Sequence, residues 1–290
     1  MEPKDENYEL DFSRIRRRER RSRRGLWVLI LLAVVILGAC GLTIWKLQQV
    51  LDSLPIQQTE APTDPLIADP LREAQKKIEA YALRKGIDPS RYPATLVELL
   101  ARNPETEAFV LDYPFHMNKE VSLTSYDRSN GVPLFLQWDA QWGYRTYGSD
   151  LLAITGCGPT CLAMVGFYLT GEEKFSPDQV AKFAESNGYY SPGHGTSWDL
   201  ISAGGEKLGL NVTEIPLAEN RRAMNLKVDN PIICVVGPGD FTTTGHYLVL
   251  RDYQEGKFYV NDPNSVLNSQ QAWTYDQLAP QIRAMWVLRK

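Results

Sequence analysis

From Gly25 to Trp45 the chain reads GLWVLILLAVVILGACGLTIW, an apolar run without a single charge. At about 1.5 Å per residue, a helix of that length covers a hydrocarbon core of roughly 30 Å. The pattern predicts a transmembrane helix over residues 25–47. No hydrophobic period survives after it. Residues 48–69 are rich in Pro, Gln, Thr and acids (PIQQTEAPTDPLIADP) and read as a stalk. Asp69-Pro70 has the form of a helix start with Pro at the first position; the charged face of Leu71–Leu83 follows, and Gly86 stops it. A second short helix is expected over Ala94–Arg102, ahead of Asn103-Pro104. Residues 70–131 thus read as a small, mainly helical region serving as a spacer or docking surface.

From residue 132 the pattern changes. One helix is expected to start at Gly158-Pro159 and run to Leu169, closed by Gly171. A second has Ser176 as cap, Pro177 next and Gln179 completing a capping box, with Gly188 beyond its end. A third opens near Thr196-Ser197 and ends at Gly209. Strand-type segments then take over: Asn211–Ile215, Ile232–Val236, His246–Tyr253, Lys257–Asn261 and Met285–Leu288. Helices first and strands afterwards is an α+β order, not the alternation of a parallel α/β sheet. There are no internal repeats.

Charge adds a topology. The 290 residues carry a net charge of −4, which hides an asymmetry. Residues 1–24 hold nine Lys/Arg against six Asp/Glu, a net of +3, and the remainder holds 22 against 29, a net of −7. So acidic a body lacks the excess of Lys/Arg that a phosphate-neutralising face needs, which argues against nucleic-acid binding. The arginines between Arg14 and Arg24 directly precede the apolar run, and only Lys46 follows it closely. The positive-inside bias therefore keeps residues 1–24 in the cytoplasm and residues 46–290 outside it. Leu37-Gly38-Ala39-Cys40 offers a minor alternative, a lipobox with lipidation at Cys40, which also tethers the body outside. A cleaved signal peptide fits less well, because the charged region and the apolar run are both long for one.

Three cysteines lie beyond the apolar run. Cys161, one turn into a helix, and Cys234, inside the strand IICVV, read as small core residues. The histidines are His116, His194 and His246, with no ligand spacing to the cysteines, so neither metal nor cofactor is expected. Cys157 differs. It lies in Thr155-Gly156-Cys157-Gly158-Pro159, directly before a helix, where free N–H groups and the dipole favour a thiolate, the nucleophilic form. Gly156 and Gly158 are expected to give a substrate carbonyl access to the sulfur. His246 opens a strand at its mouth end, although a structural histidine would look the same there. Asp262 follows Tyr259-Val260-Asn261. A hairpin turn near Gln254–Gly256 would bring His246 and Asp262 within a rung or two, supplying an orienter for the imidazole. Asn261 would face the other side of its strand. His194, in Pro192-Gly193-His194-Gly195-Thr196, reads as a loop residue near the cleft rim and a candidate substrate contact. Trp138, Trp142 and Trp198 read as core.

The series Gln137-Trp138-Asp139-x-x-Trp142-Gly143, Gly156-Cys157-Gly158-Pro159-Thr160, Gly245-His246-Tyr247 and Asn261-Asp262-Pro263 resembles the motifs of one group. That group is the cysteine peptidases related to double-glycine bacteriocin-leader peptidases (family 39), especially the stand-alone C39-like proteins. The resemblance covers about Val132–Lys290. It implies a papain-like cysteine peptidase fold, with Cys157 as nucleophile, His246 as general base and acid, Asp262 as orienter and the Gln137 side chain in the oxyanion hole, Gln141 being the alternative. Leader peptidases of this family are usually fused to a transporter and work on the cytoplasmic side. This chain has one membrane segment, no nucleotide-binding loop and its domain outside, so their substrate does not carry over. The expectation is a single-pass, membrane-anchored extracytoplasmic thiol peptidase acting on a peptide or protein. Two alternatives stay open: acyl transfer (transpeptidation or amide ligation) by the same triad, and a catalytically silent module that binds peptides or wall fragments.

Overall fold

Asp69 accepts a hydrogen bond from the Leu71 N–H and so caps α1 (Pro70–Lys85), which Gly86 ends in the left-handed conformation at φ 67°. This is a computed structural model; it describes residue 46 and residues 69–117, 120–193, 195–216 and 230–290. Two further helices follow, α2 (Ala94–Arg102) and α3 (Glu107–Asp112). Ile78, Leu96, Leu100 and Phe109 from these helices cluster with Tyr144 and Ala153, which lie past residue 131. Residues 68–290 accordingly form one compact unit, and the sequence boundary at residue 131 does not divide the packing. Among the described residues no helix is long and apolar enough to cross a membrane. The apolar run Gly25–Trp45, the stalk as far as residue 68 and the Cys40 motif lie outside them.

A small ribbon, β1 (Thr146–Tyr147) with β2 (Asp150–Leu151), leads through the short α4 (Leu152–Thr155) into α5 (Cys157–Thr170). Every residue from Gly158 to Phe167 is buried, so α5 is the central helix and not an amphipathic surface one. Helix α6 (Pro177–Ser186) packs beside it. Ser176 starts α6 without the expected capping box. Its Oγ donates to Asp178 Oδ1 at 2.8 Å, and no side-chain cap bond forms. The third expected helix is broken. Thr196 belongs to β4 (Gly195–Thr196), paired with β3 (Tyr190–Ser191); Trp198–Leu200 is one 3₁₀ turn capped by Ser197; only α7 (Ala203–Lys207) is α-helical. Two adjacent glycines, Gly204 and Gly205, weaken helix propensity there. Trp198 is 48% exposed and meets the Trp286 ring edge-on, so it is not a core residue.

The strands form a six-stranded antiparallel sheet in the order β5 (Asn211–Glu214), β10 (Ile282–Arg289), β6 (Ile232–Val236), β7 (His246–Gln254), β8 (Lys257–Asn261), β9 (Ala272–Trp273). Alternation sorts its side chains. Ile233, Val235, Tyr247 and Val249 join the α5 core, whereas Cys234, Leu248, Leu250 and Val260 join a second cluster on the other face. A two-residue turn joins β7 to β8, with Glu255 at φ 49° and Gly256 at φ 80°. Positive φ at both positions is the type I′ geometry that suits strand twist. A register shift between Leu250 and Asp252 leaves Val249 opposite Asn261. Beyond β8 come α8 (Val266–Gln270) and α9 (Tyr275–Leu278).

Candidate active site

Cys157 is the first residue of α5, where backbone N–H groups have no intrahelical acceptor. It is half-buried in a cleft of about 430 Å³ whose lining includes Gln137 and His246. His246 is the first residue of β7, beside α5. Its Nε2 lies 2.7 Å from Asp262 Oδ1. A carboxylate only accepts, so Nε2 carries the proton and donates, and Nδ1 is the nitrogen left for the sulfur. Burial works to raise the Cys157 thiol. Hydrogen bonding and charge from His246, aided by the backbone N–H groups of Tyr247 and Gly158, outweigh it and hold the thiol below its ordinary range. Burial alone would lower His246. The Asp262 charge and hydrogen bond, together with Cys157, instead raise it to about 10.

Asp262 is held from several sides. Asn264 donates its backbone N–H to Oδ1 and Asn268 its side-chain amide to Oδ2, each at 2.8 Å. The Asp262 N–H in turn donates to Ser269 Oγ at 2.9 Å. These partners sit on α8 and the loop before it, and no sequence motif had singled them out. Asn261 turns the other way, as strand alternation requires, and its amide donates to Val132 O and Pro133 O. The hairpin geometry brings His246 and Asp262 together as expected. Past the register shift Val249 faces Asn261, so His246 and Asp262 lie diagonally across the two strands, within reach of a side chain.

Gln137 is buried in the cleft wall. Its Nε2 donates to Ala153 O at 2.6 Å, which fixes which end of the amide is nitrogen, and its Oε1 has no partner. Its backbone N–H donates to Pro263 O at 2.7 Å, tying it to the Asp262 loop. Gln141 turns away: its Oε1 accepts from the Ser122 N–H, and it does not line the cleft. The two glycines beside Cys157 are closely packed. Both are buried and neither lines the cleft. A Cβ on Gly156 would stand 2.4 Å from Leu152 O, and one on Gly158 2.7 Å from Thr196 Cγ2. Packing by itself requires both to be small. His194 lies outside the described residues. Cys161 and Cys234 are free and buried, and burial pushes both thiols up. Among the described residues no group of three His, Cys, Asp or Glu could hold a metal ion.

Two cleft walls escaped the sequence reading. One is the loop Gly239–Gly245, and the other is α2, which contributes Leu99 and Arg102. Residues 239–244 carry no motif, and α2 reads by itself as an ordinary amphipathic helix.

A buried helix packed on a six-stranded antiparallel sheet makes this an α+β protein, an arrangement consistent with a papain-like fold. The family follows from the sequence: a model of the Peptidase_C39-like family matches residues 129–290, and the chain belongs to that family. Among solved structures, it is similar to the peptidase domain of Streptococcus ComA, a bifunctional ABC transporter involved in a quorum-sensing pathway. That match has 18% identity and a TM-score of 0.36, covering 47% of this chain and 93% of the other. A Bacillus anthracis protein described as a C39-like peptidase matches with 15% identity and a TM-score of 0.32, covering 57% and 97%. None of the curated proteins matches the chain.

Proposed function

We propose that the chain is a thiol peptidase, tethered by the apolar run Gly25–Trp45 with its catalytic unit outside the cytoplasm. The observation that carries the chemistry is the 2.7 Å contact between His246 Nε2 and Asp262 Oδ1 behind a Cys157 thiol held below its ordinary range. Family membership supports a cysteine-peptidase type of function. In this reading the Cys157 proton resides on His246, and the thiolate attacks the scissile carbonyl carbon. The C–N bond then breaks as the imidazolium gives its proton to the leaving amine. Water next adds its hydroxyl to the thioester carbon and its proton to His246, releasing the acid and restoring the thiolate. The oxyanion meets the Cys157 N–H and the second N–H of Gln137, whose first is tied to Ala153. One such donor contributes about 3 kcal/mol.

The test is turnover of a peptide library by the full chain, with products identified by mass. Cys157→Ala should abolish cleavage while the melting temperature stays near that of wild type. Equal cleavage by Cys157→Ala and wild type would sink the reading. Cys157 that binds peptides without ever forming a thioester would favour the silent module, and a product joined to an added amine would favour acyl transfer.

A further inference from the structure

The helices that precede the family-matching region reach into the site just described. Glu105, between α2 and α3, accepts from Ser265 Oγ at 2.5 Å, from the Val266 N–H at 2.8 Å and from the Leu267 N–H at 3.2 Å. Val266 and Leu267 open α8, so Glu105 satisfies N–H groups that the helix itself leaves unpaired, from 160 residues earlier in the chain. Asn103 adds a second clamp, its Nδ2 donating to Asn264 O at 2.5 Å. One clamped residue holds Asp262 directly, since the Asn264 N–H bonds Oδ1, and the helix that Glu105 opens carries the other, Asn268, whose amide bonds Oδ2. The Trp138 Nε1–H also donates to Asn264 O, at 3.0 Å, so Asn103 shares that oxygen, whereas the Leu267 side chain is 65% exposed.

We infer that Glu105 is a positioning residue for catalysis: by clamping the start of α8 it holds the Asp262 carboxylate against His246, and the helical region before residue 129 is part of the catalytic apparatus. The inference rests on the triad proposed above and extends it to residues outside the family match. Its physical basis is geometric. A carboxylate free to rotate away from Nε2 stabilises the imidazolium less, and the imidazolium in turn stabilises the thiolate less. Nothing in the contact of Glu105 with α8 touches substrate or sulfur, so the effect reaches Cys157 only through Asp262 and His246.

The experiment is the pH dependence of Cys157 alkylation by iodoacetamide in the full chain, read site by site by mass spectrometry. It needs no substrate. Glu105→Ala should shift the alkylation midpoint upward, slowing Cys157 labelling at neutral pH by about tenfold, the equivalent of one pH unit. Glu105→Gln keeps an oxygen for the two backbone N–H groups and should restore most of the rate. Glu107→Ala, which removes only the surface partner of Lys77, should leave the profile alone. A folded Glu105→Ala variant with the wild-type profile overturns the inference while leaving the triad standing. Should Glu105→Ala not fold, Asn103→Ala is read by the same profile, and an unchanged midpoint there overturns it as well. A wild-type Cys157 that labels like an ordinary exposed thiol brings down the underlying triad, and with it this extension.

Discussion

At the scale of single residues, the cleft sets up a charge pair with two limits in pH. The Cys157 thiol is lowered, so its thiolate is present above that lowered value. His246 is raised to about 10, so its imidazolium is present below it. The pair exists between the two. We therefore expect a bell-shaped kcat/KM for peptide cleavage, with an acid limb below the ordinary thiol range and an alkaline limb near pH 10. Asp262→Asn removes the largest contribution raising His246; the alkaline limb should move down and some activity should remain. An alkaline limb that stays in place in that variant would exclude Asp262 as the orienter. At neutral pH iodoacetamide should label Cys157, while Cys161 and Cys234, buried and raised, stay unmodified. Cys157, His246 and Asp262 could be picked out beforehand because each carries a local signal: a helix start between glycines, a strand start, a strand end across a short turn. Glu105 and Asn103 carried none. Polar residues after a surface helix look solvated, and a contact spanning 160 residues leaves no local pattern. The neighbours of Gly156 and Gly158 are hidden for a related reason: smallness in a sequence does not say which neighbour demands it.

At the scale of elements, periodicity and punctuation located most of the structure. Ala94–Arg102, Ile232–Val236 and Lys257–Asn261 lie where the apolar pattern put them. The third expected helix is interrupted because Thr196 to Gly209 is not one period: Ser197 caps a single 3₁₀ turn and the chain restarts at Ala203. The β7–β8 hairpin carries His246 and leads directly into Asp262, so its turn, with the register shift beyond it, sets how the two meet. Glu255 sits there at φ 49°, a left-handed conformation that Asn adopts more readily than Glu. Glu255→Asn should stabilise the unit by about 0.5 kcal/mol, seen as a small rise in melting temperature. The alkylation profile of Cys157 should not change. A fall in stability would mean that the Glu255 side chain contributes something the turn geometry does not require.

At the scale of the whole molecule, the described unit and the segment before it pose separate questions. Residues 68–290 hold together as one unit, with the α1–α3 helices sharing a cluster with Tyr144 and Ala153. Such a unit should survive detachment from whatever precedes it. The preceding segment is apolar from Gly25 to Trp45 and follows eight arginines between Arg14 and Arg24. Translocating that cluster would be costly, so the orientation expected is residues 1–24 inside and the catalytic unit outside. Protease added to intact cells or spheroplasts should therefore cut within the Pro- and Thr-rich residues 48–69. It should release a fragment beginning near Asp69 whose Cys157 still labels at neutral pH, while an epitope fused before Arg14 stays protected until the membrane is opened. Cys40→Ser separates the two kinds of tether. An apolar helix remains in the membrane without Cys40, whereas a lipid anchor is lost with it. If the Cys157 unit resists protease until lysis, the orientation is reversed and the peptidase faces the cytoplasm.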